Sequence, residues 1–536
     1  MGGWCMGLRA LGDSAWLFEA GGGDARRQLD LVLKLVNLLQ RERIPEVVDV
    51  VSSFASVAVY FDPADGAEVL GWLTALQAPG ADDALAGGRT VEIPVVYGDL
   101  EEISAALGRT REEIVRLHSE ADYTVAAIGF SPGFPYLAGL PPELALPRLA
   151  TPRAVEAGSV AMAGSQAGIY PTASQGGWHV LGKATANLFQ ADADEPSLLR
   201  PGDKVRFVSS KKSKAAKKLR LQSMPANGAL EIIEPGPLTS VQDLGRPGFR
   251  HLGVTAGGAA DAISARVANR LVGNPDSAAL LECCLSGPLL KFHQNTRLAF
   301  VGWADLRSGS VIEVEAGEEI DLRTRLRSVR GYVAMAGGIE VPQVMGSRAT
   351  DLRSGFGGYL GRNLMAGDRL PIGGAQLGPK PGAWRVGWPE SAGPGRMIEL
   401  RFLPGMQMAW FSPEAKRAFR GSIFTLSPMA DRMGVRLDGA SLGLIEPREL
   451  VSQPVVPGSI QVPPDGQPIV LMPECQTIGG YPQIGHVISA DLPKIARAWP
   501  GTPIRFREVS LDEARRAWLE QEQDAALLQT GLNFLR

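Results

Sequence analysis

The chain has 536 residues, 45% of them hydrophobic and 21% charged, which excludes a disordered chain and leaves room for roughly three or four domains at ~150 residues each. Its net charge of −3, from 54 basic and 57 acidic residues, supplies no overall field for a nucleic acid or an acidic membrane surface. Four cysteines (Cys5, Cys283, Cys284 and Cys475) with no C-x-x-C pair exclude a disulfide framework and a thioredoxin-type or ribbon zinc motif.

Taken in chain order, residues 1–85 open without a basic start and apolar run, so no signal peptide is expected. The longest apolar stretches, such as 31–39, are interrupted by residues like Lys34 and fall short of the ~20 a membrane helix needs, so a cytoplasmic protein without membrane contact is expected. In this block Leu29, Val32, Leu33, Val36 and Leu39 recur at helical spacing, and Val57, Val59 and Phe61 alternate as in a half-buried strand. An α+β subdomain is predicted. Residues 86–208 begin with a strand over 91–97, continue into a helical stretch from about 100 to 118 broken near Gly108, and end in short, turn-rich strands up to Val205-Arg206-Phe207. Residues 209–228 read as a basic linker. Six of the ten positions 211–220 are basic, without interleaved aromatics to stack bases, so a solvated tether is predicted. Residues 229–390 resume a β pattern with one helix at 261–272, whose apolar stripe is Ile263, Val267 and Leu271 and whose stop is Asn274-Pro275. After a Pro/Gly-rich junction, residues 391–536 are again β-rich and close on Ser510-Leu511-Asp512-Glu513, a capping box opening a helix to about 528.

Glycine (64) and proline (39) exceed ordinary usage and punctuate short β-branched runs, which predicts many tight turns. There is also an internal repeat. Gly158-Ser159-Val160, Gln166, Gly176-Gly177-Trp178, Pro201-Gly202 and Val205-Arg206-Phe207 recur in order as Gly458-Ser459-Ile460, Gln467, Gly479-Gly480-Tyr481, Pro500-Gly501 and Ile504-Arg505-Phe506. Such co-linear anchors predict two copies of one small β-barrel on either side of the tether. The fold class is therefore mainly β with α+β parts: two barrels plus smaller α+β subdomains.

Several motifs fit a pattern but not its chemistry. Gly129-Phe130-Ser131-Pro132-Gly133 matches G-x-S-x-G, yet the oxyanion donor would be the N–H of Pro132, which does not exist. The stretch predicts instead a rigid turn presenting Phe134 and Tyr136. Gly177 to Lys183 resembles a phosphate loop but ends in Ala184 where a hydroxyl must hold Mg²⁺, though His179 and Lys183 beside paired glycines remain candidates for an anion. No two of the five histidines have H-x-x-x-H spacing. His118 closes a helical stretch and reads as structural, whereas His179, His251 and His486 sit in turn-rich contexts. Asp243 and Arg246 share one tight turn, Asp431 and Arg432 are adjacent, and Gln476, Thr477 and Tyr481 surround Gly479-Gly480. No Met-Lys-Met biotin signal and no dinucleotide-binding glycine fingerprint occur.

The run Ile128-Gly129-Phe130-Ser131-Pro132-Gly133-Phe134-Pro135-Tyr136-Leu137, with Thr151-Pro152-Arg153 and Ala157-Gly158-Ser159-Val160, resembles the KipI type, also called allophanate hydrolase subunit 1. Pro235-Gly236-Pro237-Leu238-Thr239-Ser240-Val241-Gln242-Asp243-Leu244-Gly245-Arg246-Pro247-Gly248, Ala268-Asn269-Arg270-Leu271-Val272-Gly273-Asn274 and Gly458-Ser459-Ile460-Gln461-Val462-Pro463-Pro464-Asp465-Gly466 resemble the KipA type, or subunit 2. The chain looks like a fusion of the two. It departs from the family pattern at Thr255-Ala256-Gly257-Gly258 and at Glu474-Cys475-Gln476-Thr477.

That resemblance implies a cyclophilin-like barrel in each half. It also implies the B and C parts of an ATP-dependent 5-oxoprolinase, opening a cyclic amide with ATP and Mg²⁺ and with a separate A subunit of the LamB/YcsF type. The alternatives are the carboxyltransferase component of a biotin-dependent urea-type carboxylase, with no biotin on this chain, and a non-enzymatic regulator binding a histidine kinase. A homo-oligomer is compatible with each. For lactam opening, residue type and context nominate Arg246, Arg432 and Lys183 for anions, and Asp243 and Asp431 to orient them or hold metal. His179 or His486 would move protons, and Tyr136, Tyr481 and Gln476 would shape the pocket. No metal ligand set is assigned. The expectation is that His179 and Lys183 face His486 and Asp431 across one cleft.

Overall fold

The computed structural model describes residues 6–77, 88–149, 151–211, 228–304, 308–374, 378–382, 384–387 and 395–535. Apart from 209–211 and 228, the predicted tether lies outside them.

The N-terminal strands Met6–Ala10, Ala15–Ala20, Ser56–Phe61 and Val47–Ser52 form one antiparallel sheet in that order. Helix Ala25–Arg41 buries the predicted stripe of Leu29, Val32, Leu33, Val36 and Leu39, and Asp24 caps it by accepting from the Arg27 N–H. Strand Ser56–Phe61 corrects its reading as half-buried, because all six residues are buried. Val57, Val59 and Phe61 pack with the helices. Ala58 and Tyr60 are covered by side chains of the first barrel and by Val456 and Ile478 from far downstream, so neither face meets water.

Both barrels are closed and seven-stranded, and their ring orders coincide. Round the first run Lys204–Ser209, Thr90–Tyr97, His179–Ala184, Ser159–Ala163, Gln166–Ile169, Pro135–Ala138 and Tyr123–Ile128. Round the second run Pro503–Glu508, Ile398–Pro404, Gln483–Val487, Ser459–Gln461, Ile469–Leu471, Gly434–Asp438 and Phe424–Ala430. Each ring holds one parallel pair, Lys204–Ser209 on Thr90–Tyr97 and Pro503–Glu508 on Ile398–Pro404. The repeat anchors are equivalent in register. Ser159 pairs with Lys183 and Ser459 with His486, while Phe207 pairs with Ile93 and Phe506 with Leu400. Lys183 and His486 therefore occupy the same position in the two copies.

The helical stretch after the strand Thr90–Tyr97 is two helices, Glu101–Leu107 and Arg111–Glu120, parted by Gly108 in the left-handed region at φ 62°. His118 is structural as read. It is buried, its Nδ1 lies 2.8 Å from the Tyr97 hydroxyl, and its ring stacks on Phe207. Burial pushes its pKa down to about 3.

Between the barrels, a four-stranded and a five-stranded sheet share a core around Leu230, Leu281, Phe292, Trp303 and Val333. Helix Ala262–Leu271 packs on the larger sheet, capped by Asp261. The C-terminal helix Leu511–Asn533, capped by Ser510, reaches back across the molecule. Trp518 donates to Asp62 of the N-terminal subdomain, and Glu522 pairs with Arg266. Among the described residues no helix is long and apolar enough to cross a membrane.

Candidate functional site

Strand alternation aims two equivalent surfaces at each other. Val160 and Ile460 point into their own barrel cores, so Ala161 and Gln461, next along, lie on the outer faces. Ala161 joins an aromatic cluster with Phe134, Tyr136, Tyr170 and Trp178, and this cluster packs on Val456 and Ile478 of the second half. The candidate site lies in this seam.

On the first-barrel side, the connection between strands Tyr123–Ile128 and Pro135–Ala138 supplies the contact. It is tight, with Phe130 at φ 63° and Gly133 at φ 76°, and it is closed by the Gly129 N–H donating to Phe134 O at 3.0 Å. Gly133 also donates to Leu252 O at 2.9 Å. A Cβ on Gly129 would stand 2.5 Å from Ile478 Cδ1, so only glycine lets the halves close here. Tyr136 is buried edge-on against Phe54 and Trp178, and its hydroxyl meets Ser452 of the second half. Burial raises its pKa to about 12, which keeps the phenol a proton-bearing donor. Arg148 donates to the same Ser452 Oγ at 3.4 Å, and its guanidinium covers Gly480, where a Cβ would be only 2.9 Å from a nitrogen.

The second-barrel side is polar. Gln461 and Gln483 are register partners, where the first barrel has Ala161 and Val180. Gln476 Nε2 donates to Gln461 Oε1 at 3.4 Å. Gln407 Oε1 accepts from Gln453 Nε2 at 3.2 Å and from Gln483 N at 3.1 Å.

Further arginines lie at or beside the seam. Arg353 stacks over the Phe130 ring at 4.6 Å, and its Nη1 is buried without a partner. Burial holds this guanidinium below its ordinary value, with Asp351, Tyr136 and Asp431 pulling the other way. Arg246 is buried over Phe356, donates to Ala349 O, and likewise leaves Nη1 unpartnered. Burial lowers it too, against Asp351, Asp243 and Glu474. Arg432 is fully engaged, donating to Glu282, to Glu474 Oε1 at 2.6 Å and to Gly258 O. Burial opposes its charge, but Glu282 and Glu474 outweigh it and hold the guanidinium above its ordinary range.

The sequence-nominated residues divide accordingly. Tyr136, Gln476, Arg246 and Arg432 come to the seam or its immediate support, and the half-exposed Tyr481 follows Gly480 at its edge. Asp431 lies in the connection equivalent to 129–134 and accepts from the Met433 and Gly434 N–H groups at 2.7 and 2.9 Å. Asp243 holds its own turn, accepting from Gly245 N, Ser347 Oγ and Arg348 N on the wall of a cavity of about 330 Å³ in the middle sheets. His179 sits on the first barrel with Nε2 2.9 Å from Pro147 O, next to Arg148. Lys183 pairs with Glu156 at 2.8 Å on an exposed surface. His486 is buried behind Gly12, with Nδ1 3.1 Å from Ser459 Oγ, and burial lowers its pKa to about 4. Among the described residues no hydrogen bond or ion pair joins His179 or Lys183 to His486 or Asp431.

Sequence reasoning missed Arg148, Arg353, Ser452 and the glutamines other than Gln476. Gln461 and Gln483 alternate with buried apolar neighbours, which is also the pattern of a strand facing water. The ribbon Gln453–Pro454 with Ile478–Gly479 covers them.

Two family descriptions match the chain: "Carboxyltransferase domain, subdomain C and D" over residues 6–199, and "Carboxyltransferase domain, subdomain A and B" over 252–508. The chain is 40% identical over 305 residues to the 5-oxoprolinase C subunit of Escherichia coli (strain K12), covering 55% of this chain and 96% of that protein. It is 33% identical over 219 residues to the 5-oxoprolinase B subunit of Bacillus subtilis (strain 168), covering 38% and 91%. To the urea amidolyase of Lachancea kluyveri it is 30% identical over 328 residues, 56% of this chain but 18% of that protein. The crystal structure of TTHA0988 matches with a TM-score of 0.81 at 36% identity, over 93% of this chain and 100% of that one.

Proposed function

The chain belongs to the carboxyltransferase-domain family, together with its relatives the B and C subunits of 5-oxoprolinase, and from that premise we propose that it joins the B and C parts of an ATP-dependent 5-oxoprolinase in one polypeptide. The enzyme opens the lactam of 5-oxoproline to glutamate together with a separate A subunit of the LamB/YcsF type. One observation carries this reading. Relatives named for two different subunits are each matched over 96% and 91% of their length by a single chain.

The chemistry suits the seam. Ring opening breaks the amide C–N bond, adds a water oxygen to the carbon and leaves an amine that takes up a proton. It is uphill near neutrality unless ATP phosphorylates the lactam oxygen: the water then attacks the carbon, loss of the ring nitrogen leaves an acyl phosphate, and a second water releases the phosphate and leaves the carboxylate. The substrate carboxylate and the phosphoryl group are both anions, and Arg353 and Arg246 each hold a buried N–H without a protein acceptor. Arg148 adds a third cation, with His179 positioning it through Pro147. Tyr136 keeps its proton and can hydrogen-bond an amide oxygen. Arg432 and Glu474 brace the second wall. Among the described residues no group of three or more His, Cys, Asp or Glu lies together to hold a metal, so no step is assigned to Mg²⁺ on this chain.

The test is ATP-dependent glutamate release from 5-oxoproline by the purified chain with and without an A subunit. Turnover is expected in the combination, and none in the reconstituted complex would overturn the reading. The carboxyltransferase reading is favoured by the family description and the urea amidolyase match. It expects transfer from carboxybiotin to a urea-like acceptor, with biotin on another chain.

A further inference from the structure

Buried polar atoms without partners cluster on the outer face of the second barrel. Gln483 is fully buried, and neither its Oε1 nor its Nε2 meets a hydrogen-bond partner. The same holds for Nε2 of its register partner Gln461 and for Oγ1 of Thr477. Leaving a buried polar group unpaired is destabilising, so four such atoms together call for something that the chain does not supply. The barrel does not need them, since its twin places Ala161 and Val180 at the positions of the two glutamines. The ribbon Gln453–Pro454 with Ile478–Gly479 covers the cluster. Gly479 lies so close that a Cβ there would stand 2.5 Å from Gln461 Nε2, and Gly480, the next residue, borders Arg148 in the seam.

A carboxamide with both ends free matches one chemical partner closely. It is an amide whose N–H and C=O lie on the same edge, so that two parallel hydrogen bonds form whichever way round the side chain sits. Ordinary peptides, which are trans, cannot present that edge. Lactams and urea can. We propose that Gln483 and Gln461 form an amide-reading subsite of the second barrel that takes a cis amide. Gln483 pairs with its N–H and C=O, and Gln461 Nε2 gives a second donor to the oxygen. The proposed function enters only in choosing the lactam over urea as the natural ligand.

The test uses the full chain and ligand-observed NMR titration with 2-pyrrolidinone, N-methyl-2-pyrrolidinone and urea. 2-Pyrrolidinone is expected to bind at least ten-fold tighter than its N-methyl analogue, which lacks the N–H. Gln483→Met and, independently, Gln461→Leu should each weaken it ten-fold or more. Thermal denaturation monitors folding: Gln483→Met should not melt earlier, because it removes only buried unpaired side-chain atoms, and Gln461→Leu, which also removes the acceptor of Gln476 Nε2, should keep a single cooperative transition. No binding of any probe, or binding indifferent to both substitutions and to N-methylation, would overturn the subsite and leave ordered water as the glutamines' partner. Binding of urea but not of the lactam, lost in Gln483→Met, would uphold the subsite and overturn the 5-oxoprolinase reading.

Discussion

Arg353 shows how a single side chain can be poised for a ligand. Its guanidinium lies over the Phe130 ring, yet Nη1 is buried without an acceptor. Replacing it with methionine keeps the packing over Phe130 and removes the charge. In the proposed reconstituted enzyme, Arg353→Met is expected to lower kcat/KM for 5-oxoproline at least ten-fold, while the thermal midpoint stays within a few degrees, since the desolvation cost of the guanidinium is removed along with its attraction to Asp351 and Asp431. The buried histidines act on stability instead. Burial lowers His118 to about 3 and His486 to about 4, from an ordinary 6.5. The unfolded chain therefore binds protons that the folded chain refuses, so their contribution is fully present above about pH 6.5 and is lost as pH falls toward 4 and then 3. Urea denaturation midpoints should drop between pH 7 and pH 4.5, and His118→Gln should make that drop shallower.

At the level of elements, the connection 129–134 does what its proline and glycines predict, but for a reason outside itself. Gly133 lies at φ 76°, and a Cβ there would stand 2.7 Å from Phe189 Cβ and 2.9 Å from Leu188 O. Gly133→Ala should cost about 2 kcal/mol or more, combining left-handed strain with overlap, as measured by chemical denaturation. It should also reduce lactam turnover, because the same turn carries Phe130 under Arg353 and leads into Tyr136. The second barrel's equivalent connection, through Asp431 and Arg432, is braced by Glu282 and Glu474 rather than by aromatic stacking. One topology thus supports an aromatic wall in one copy and an ionic wall in the other.

Across the whole molecule, the halves are joined by much more than the tether. Tyr60 donates to Val455 O, Ser489 to Asp13, and His251 Nδ1 lies 2.9 Å from Asp49, while the C-terminal helix reaches Asp62 and Ala64. Polypeptides 1–211 and 228–536, produced together, should therefore elute as one 1:1 complex by size-exclusion chromatography with light scattering. Separate elution would show that the seam depends on the covalent link.

The duplicated barrel was legible because its anchors are local. Gly458-Ser459-Ile460 and Ile504-Arg505-Phe506 repeat the turns and strand ends of the first copy, whereas the ring order, closed by a parallel pair about 100 positions apart in each copy, was not legible. The helices at 25–41 and from 511 were legible through apolar spacing and caps. Tyr136, Gln476, Arg246 and Arg432 could be nominated because they sit in motifs unusual enough to be noticed alone. Arg148, Arg353, Gln461 and Gln483 could not. A polar residue alternating along a strand has the same pattern whether its face meets water or a covering segment, and likewise the strand Ser56–Phe61 gave no sign of its second cover. Which of two chemically similar outer faces is buried, and against what, depends on contacts between residues hundreds of positions apart, so only the tertiary structure decides it.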